Sequence, residues 1–276
     1  MHKETVFLGE LTRKELGDAI GNGTVKAAIV PTGATEQHQD HLAMIHDTVS
    51  VTEISRRVAM RFYPHVLVTP TIAMSVSEHH MSRGGALTVR PEIHAEHVYD
   101  ICHSLKRLGV SRVMVVNGHG GNIVPGAQAV FEVRQRQRDR KDLLLLSATY
   151  WDHAKITEAR DDFAQDAMGH AGELETSMML ALRPELVGDT TATKAIPKGE
   201  AFATATRGWT TKDRSEPGHI GAPAAASGIA SSLGIGSSVF PIGARFGLAS
   251  IESAKYASTF SLPVFVRYSL GVIRPC

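Results

Sequence analysis

The chain has 276 residues, 43% of them hydrophobic, and a formal net charge of +1. That length suits one α/β domain with a sizeable core, and the near balance of acids and bases leaves no basic surface for nucleic acid and no acidic tail. The two cysteines, Cys102 and Cys276, make neither a ligand pair nor a disulfide framework, no apolar run is long enough to span a bilayer, and the start, with Lys3, Glu4 and Glu10, reads as no secretory signal. The expectation is a cytoplasmic protein with no nucleic-acid or membrane partner. Fourteen histidines are the one compositional oddity.

In chain order, Val25 to Val30 reads as a strand, and Val49, Val51, Ile54, Val58 and Phe62 fall at helical spacing, with Asp47 as the N-cap. His65 to Ile72 reads as a second strand. Pro91 to Leu108 reads as a helix with Pro91 in its first turn and Gly109 ending it. Val113 to Val116 is a buried strand, Gly126 to Arg138 a helix, Leu143 to Ala148 a strand, and Glu173 to Leu182 a helix closed by Pro184. This alternation predicts an α/β fold with a mainly parallel sheet covered by helices on both faces, and sites in such sheets lie at the carboxyl ends of the strands. From Arg183 to Ala222 the pattern is that of a long surface excursion close to the site. The chain reads as one domain, 1–276, whose part from about residue 223 is atypical: rich in Ala, Ser and Gly and poor in charge, either placed at a subunit contact or poorly ordered.

Two motifs stand where those strand ends should be, and a third opens a later helix. The first is Pro31-Thr-Gly-Ala-Thr-Glu36-Gln-His38-Gln-Asp40-His41, followed by His46-Asp47-Thr48. Glu36 and His38 are two apart, so on an extended strand end both point to one side. If the next loop folds back, the Asp47 carboxylate reaches the same point, and a carboxylate can bridge two cations. The bland alternative makes Glu36 and His38 loop residues and Asp47 only a helix cap. The second motif, Asn117-Gly118-His119-Gly120-Gly121-Asn122, leaves the imidazole and the backbone N–H groups accessible, as a metal site or as an anion-binding turn. It is no dinucleotide fingerprint, and no phosphate-binding loop ending in Gly-Lys-Ser or Gly-Lys-Thr is present. The third, Gly169-His170-Ala-Gly-Glu173-Leu-Glu175-Thr176-Ser177, opens a helix and can supply a last ligand and an acid/base, or is simply a polar helix start.

Glu36-x-His38, Asp47, Asn117-Gly-His119 and His170-Ala-Gly-x-x-Glu175-Thr-Ser together resemble the creatininase (creatinine amidohydrolase) family, from about Val25 to Val187. The resemblance implies a three-layer α/β/α sandwich and a metal-dependent hydrolase with two divalent ions, Zn²⁺ and/or Mn²⁺, with Fe²⁺ also admissible. It also implies a homo-oligomer, up to a hexamer, acting on a small molecule. Glu36, Asp47 and His119 are then ligands of one ion, His38 and Asp47 of the other, and His170 is the catalytic proton carrier. The chain departs from creatininase itself at Gly120 and Gly121, which stand where that enzyme reads Tyr-Glu and uses the Glu as a ligand; Glu175 is the candidate replacement. Asp166 and Ala167 stand where creatininase has the Trp-Asp pair that grips creatinine, which removes the aromatic wall and argues against that substrate. The segment Ser75-Val-Ser77-Glu78-His79-His80-Met81-Ser-Arg83-Gly84-Gly85 matches a substrate-facing loop of the family. Ser77, His80, Arg83, Gly120 and Trp151 are the expected substrate contacts, with Arg83 either meeting an anionic group or merely solvated.

The reading is a binuclear hydrolase of a small cyclic or linear amide, in a His-Gly-Gly-Asn branch of the family. The alternatives are a ring-opening hydrolase of a cyclic ketone such as an oxidised inositol, a peptidase of a cofactor-precursor peptide, and, outside enzymes, an inactive metal-binding subunit.

Overall fold

Four parallel strands form one sheet in the order β2-β1-β3-β4: β1 (Ala27–Thr32), β2 (Val66–Val68), β3 (Arg112–Asn117) and β4 (Leu144–Thr149). They belong to a computed structural model that describes residues 4–152, 163–165, 167–197 and 208–227. The chain divides into units Met1–Phe240 and Pro241–Cys276, and all described residues belong to the first. The atypical tail, from residue 228 onward, lies outside them.

The register sets which side chains share a face. Ala28 pairs with Val113 and Val30 with Val115, so these point the same way. With Leu67 they join Ala19, Val98, Cys102, Leu105, Ala129 and Val133 in one buried cluster. Those residues come from α1 (Arg13–Gly21), α3 (Pro91–Arg107) and α4 (Ile123–Arg136), which therefore cover one face. On the other face lies α2 (His46–Arg61), packed on β1, β2 and β3 through buried Val51, Ile54 and Val58. Helix α5 (Glu173–Leu182) packs on α2. The result is helix, sheet and helix in three layers, as expected. No described helix is long and apolar enough to cross a membrane.

Local chemistry explains where elements start and stop. Pro91 opens α3, and Gly109, at φ +102°, follows its end. The sequence reading passed over α1, although Thr12 and Glu15 form a capping box at its start. It also made the second strand too long: β2 stops at Val68 because Pro70 has no N–H for the ladder, and Ile72 returns only for an isolated bridge to Thr32. Asp47 is not the N-cap of α2. Ile45 takes that place without a side-chain cap, and Asp47 lies inside the first turn, buried and turned toward the site.

Ile54 is 1% exposed on the face of α2 that meets the sheet. Replacing it by Ala should cost about 2–5 kcal/mol, the usual range for truncating a buried Ile. Chemical denaturation would show this as a lower midpoint with an unchanged slope.

Candidate functional site

The carboxyl ends of β1, β3 and β4 are stitched together by one side chain. Asn117 Nδ2 donates to His119 O at 2.8 Å and to Thr149 Oγ1 at 3.2 Å, while its Oδ1 accepts from His119 N at 3.1 Å and from Thr32 Oγ1 at 3.3 Å. His119 is thereby fixed just beyond β3. Asn122 holds the neighbouring loops, donating to Gly33 O at 3.0 Å and accepting from Val76 N at 3.2 Å.

Onto this edge the sequence delivers a buried cluster of carboxylates and imidazoles. Asp47 lies between two rings, with Oδ1 3.2 Å from His38 Nε2 and Oδ2 3.0 Å from His119 Nδ1. Glu36 Oε1 is 3.1 Å from His119 Nδ1, 3.3 Å from His80 Nε2 and 3.8 Å from His170 Nδ1. Glu175 Oε2 is 3.7 Å from His38 Nε2, and its Oε1 is 3.7 Å from His46 Nε2. The far ring nitrogens are held by backbone carbonyls: His38 Nδ1 donates to Glu36 O at 3.1 Å, and His119 Nε2 to Val76 O at 2.9 Å. This is how metal-binding histidines are usually oriented, with the second nitrogen left to face the ion.

The cluster fits divalent cations. Glu36 Oε2, His38 Nε2, His46 Nε2 and Asp47 Oδ2 are buried without a hydrogen-bond partner, although buried polar atoms are ordinarily satisfied. Among the described residues three groups could hold an ion: His38, His46, Asp47 and Glu175; Glu36, His79 and His119; and Glu36, His38 and His170. Imidazole and carboxylate donors together suit zinc and manganese.

Gly121 explains why the ligand set takes this form. A Cβ there would lie 1.9 Å from Val76 O and 2.6 Å from His119 Nε2, so no side chain can stand at that position. Glu175 reaches the cluster from the opposite side, on the first turn of α5, where its Oε2 accepts from Ala171 N at 2.5 Å. Ala171 is held at φ +48°, a strained conformation for a residue other than glycine. The neighbouring Gly169 is needed for close approach: a Cβ there would lie 2.0 Å from Ile220 O. His170 and Ile220 exchange backbone hydrogen bonds at 2.9 and 2.7 Å.

Burial and charge split the histidines into two kinds. For His38, burial favours the neutral ring, but Asp47, Glu175 and Glu36 outweigh it and lift the pKa to about 10. His119 is likewise buried and is raised by Glu36 and Asp47. Burial and the rings of His38 and His80 push His170 well below the usual histidine value. Burial also lowers His46 to about 3, His79 to about 4 and His80 to about 2. Burial raises Glu36 and lifts Glu175 to about 7, whereas Asp47 is held low against its burial by His38 and His119.

Above the cluster opens a cavity of about 580 Å³. Glu36, Asp47, His119, His170 and Glu175 line it, as do His80, Gly120 and Trp151 from the expected substrate contacts. His38 is fully buried beneath. Ser77 and Arg83 do not line the cavity. Ser77 is buried with Oγ 3.4 Å from His119 Nε2, and Arg83 Nη2 donates to Ser215 O at 3.2 Å, tying down the returning chain. Asp166 lies outside the described residues. Two aromatic rings, Trp151 and Trp209, line the cavity, neither of them at the positions where Asp166 and Ala167 replace the creatinine-gripping pair. Sequence reasoning missed His46, His79, Trp209, Thr211 and Arg214. His46 stood beside Asp47 in the first motif and His79 beside His80 in the Ser75–Gly85 loop, while the other three come from the segment read as a surface excursion.

The family model described as creatinine amidohydrolase matches residues 9–230. A creatinine amidohydrolase from Pseudomonas putida is 32% identical over 197 residues, 67% of this chain and 74% of the relative. A mycofactocin precursor peptide peptidase from Mycobacterium ulcerans is 31% identical over 219 residues, 75% of this chain and 78% of the relative. The crystal structure of creatinine amidohydrolase superposes with a TM-score of 0.77 at 26% identity, covering 88% of this chain and 99% of that one.

The raised pKa values of His38 and His119 mean that both rings carry protons at neutral pH in the cation-free protein, whereas ligand rings must be neutral. Metal uptake should therefore release protons, and apparent affinity should climb as pH rises through neutrality toward about 10, the value to which His38 is lifted. Calorimetric titration with zinc, in buffers of different ionisation enthalpy, measures the proton count directly; uptake without release would contradict this account.

Proposed function

This chain belongs to the creatininase family of amidohydrolases, and from that premise we propose that it is a binuclear metal hydrolase of a small cyclic or linear amide. The observation that carries the reading is the convergence of Glu36, His38, Asp47, His119 and Glu175, with unpartnered buried atoms on Glu36, His38 and Asp47, at the floor of a cavity walled by His170. Glu36, Asp47 and His119 would hold one ion; His38, Asp47 and Glu175 would hold the other, with His46 beside Glu175. Solved creatininases include a manganese form and a zinc–zinc form. Two such ions, zinc or manganese, would supply a water acidic enough to attack near neutral pH and a Lewis acid for the carbonyl.

The chain's own residues then handle position and protons. His170 Nε2 lies 2.8 Å from Gln37 O and 3.0 Å from Gln37 Nε2; the carbonyl can only accept and is the nearer, so in this reading Nε2 carries the hydrogen and Nδ1 the lone pair. Its lowered pKa keeps that nitrogen free at neutral pH. His170 Nδ1 takes a proton from the attacking water and returns it to the leaving nitrogen. Gln37 Nε2, 3.0 Å from His80 Nδ1 and 3.1 Å from Gly218 O, keeps its backbone carbonyl in place beneath the ring. The working assembly is a homo-oligomer of up to six copies, for which exposed Val124 and Phe131 on α4 supply apolar surface. Cytoplasmic placement goes with the same reading.

His170→Ala should retain metal and lose turnover by roughly 10²–10⁴-fold, the usual worth of a general acid/base. Loss of metal together with activity would make His170 a ligand. Glu175→Gln should lower bound metal toward one ion per chain by elemental analysis, with a matching loss of turnover. Creatinine should be hydrolysed negligibly, because Asp166 and Ala167 replace the pair that grips it; robust formation of creatine would overturn that. Product analysis separates the alternative chemistry, since amide cleavage frees an amino group, on a separate product or on the opened ring, and ring opening of a ketone does not.

A further inference from the structure

One buried ring of the cluster has no assigned role. His46 is fully buried on the first turn of α2, and its Nε2 has no hydrogen-bond partner. It faces the same point as His38, Asp47 and Glu175: one ligand atom from each of the four lies within 4.8 Å of the other three. We propose that His46 Nε2 is the fourth protein ligand of the ion at His38, Asp47 and Glu175, which closes that site and leaves the open coordination position to the ion at Glu36, Asp47 and His119. This deepens the binuclear reading and rests on it.

The spacing of the donor atoms fits a tetrahedron. Ligand atoms at about 2.0–2.1 Å from a tetrahedral zinc stand about 3.3–3.4 Å from one another. His38 Nε2 is 3.2 Å from Asp47 Oδ1 and 3.7 Å from Glu175 Oε2, and His46 Nε2 is 3.7 Å from Glu175 Oε1. The His38 and His46 rings are 4.9 Å apart between centroids and inclined at 55°, so they are not stacked face to face. Glu175 Oε2 already accepts from Ala171 N, and Oε1, the oxygen that faces His46, is left for the ion.

The surroundings of the ring suit a ligand. Ser50, one turn further along α2 and fully buried, places its Oγ 3.4 Å from His46 Nδ1. A hydroxyl can accept the Nδ1 hydrogen, which leaves the Nε2 lone pair to the cluster, as outer partners of metal-binding histidines do. A buried imidazole nitrogen with no partner is costly, and a cation removes that cost. The two sites then differ in kind. His38 and His46 lie beneath the cavity, whereas Glu36, Asp47 and His119 line it. Four protein ligands make a closed site that holds its ion in place, and three leave a position for water or substrate.

The test counts imidazoles on zinc by X-ray absorption, which needs no turnover. The full chain is freed of metal and given one equivalent of zinc. The closed site should fill first and show two imidazoles on the ion. His46→Gln should lower the count to one and weaken the first zinc by at least about 100-fold in a chelator competition, beyond the roughly 10–100-fold that loss of an outer partner costs. Ser50→Ala removes only the partner of Nδ1, so it should keep two imidazoles and stay within that smaller range. His79, which groups with Glu36 and His119, is the other source of a second ring, and His79→Ala should leave the count at two. One imidazole in the wild type overturns the proposal. So does a count of two that survives His46→Gln, or one that falls in His79→Ala. If His46→Gln fails to fold, the wild-type and His79→Ala counts decide alone. Failure of the hydrolase reading is separate: it would appear as no cleavage of any amide by the doubly loaded chain, with the imidazole count unchanged.

Discussion

A carboxylate buried to 2% exposure, Asp47, is the constraint on which the site depends. A charge removed from water costs several kcal/mol unless it is compensated on every side. Asp47 is compensated in three ways: His38 and His119 stand at 3.2 and 3.0 Å, and the first turn of α2 offers its positive end. Each partner comes from a different part of the chain, so the charge is tolerable only when β1, β3 and α2 are all in place. That is why the sheet edge is so heavily cross-tied. Asn117 alone links three strand ends and fixes the His119 turn, and its loss would leave Asp47 half-paired in a dry environment.

The same cluster sets stability against function. Glu36, Asp47 and Glu175 are three buried acids with too few cationic partners among the described residues, and burial raises both Glu36 and Glu175. Such a site is tense in the cation-free chain and relaxed by any divalent ion that binds the folded state, which stabilises the fold by mass action. Ala171 at φ +48° belongs to this tension, because the Glu175 carboxylate that would serve a cation also holds the Ala171 N–H. The strain is retained where the helix must begin abruptly to aim Glu175 inward.

What was legible in the sequence follows from the range of the interactions involved. Glu36, His38, Asp47 and His119 could be read because strand ends and the β-α-β alternation bring them to one edge by short-range rules. Glu175 could be read because the Glu lost at Gly121 left a vacancy in a known pattern. The role of Asp47 was read half correctly, since helical periodicity located α2 to within a turn but could not distinguish a cap from a buried first-turn acid. His46 stood in the first motif but was given no role, because it becomes relevant only through Glu175, more than a hundred residues away in the chain. Trp209, Thr211 and Arg214 were invisible for a stronger reason. Their segment has no periodicity, and only its return across the Ser75–Gly85 loop gives it a place.

The histidines divide into two electrostatic kinds, and the proposed roles rest on that division. His38 and His119 face two or three carboxylates each and are driven toward the charged form, which is the electrostatic signature of a place where a cation belongs. His170 and His80 stack on each other at 4.2 Å between centroids, and burial together with the neighbouring rings drives both toward the neutral form. Groups of one type pushed in opposite directions within a few ångströms mark a division between binding and proton transfer. His38 lies beneath the cavity and His119 at its floor, both against Asp47. The neutral rings stand on the cavity side of Glu36, where a substrate arrives and a lone pair on nitrogen is useful. Exchanging the two sets would leave Asp47 without its charged partners, so the two environments are not interchangeable.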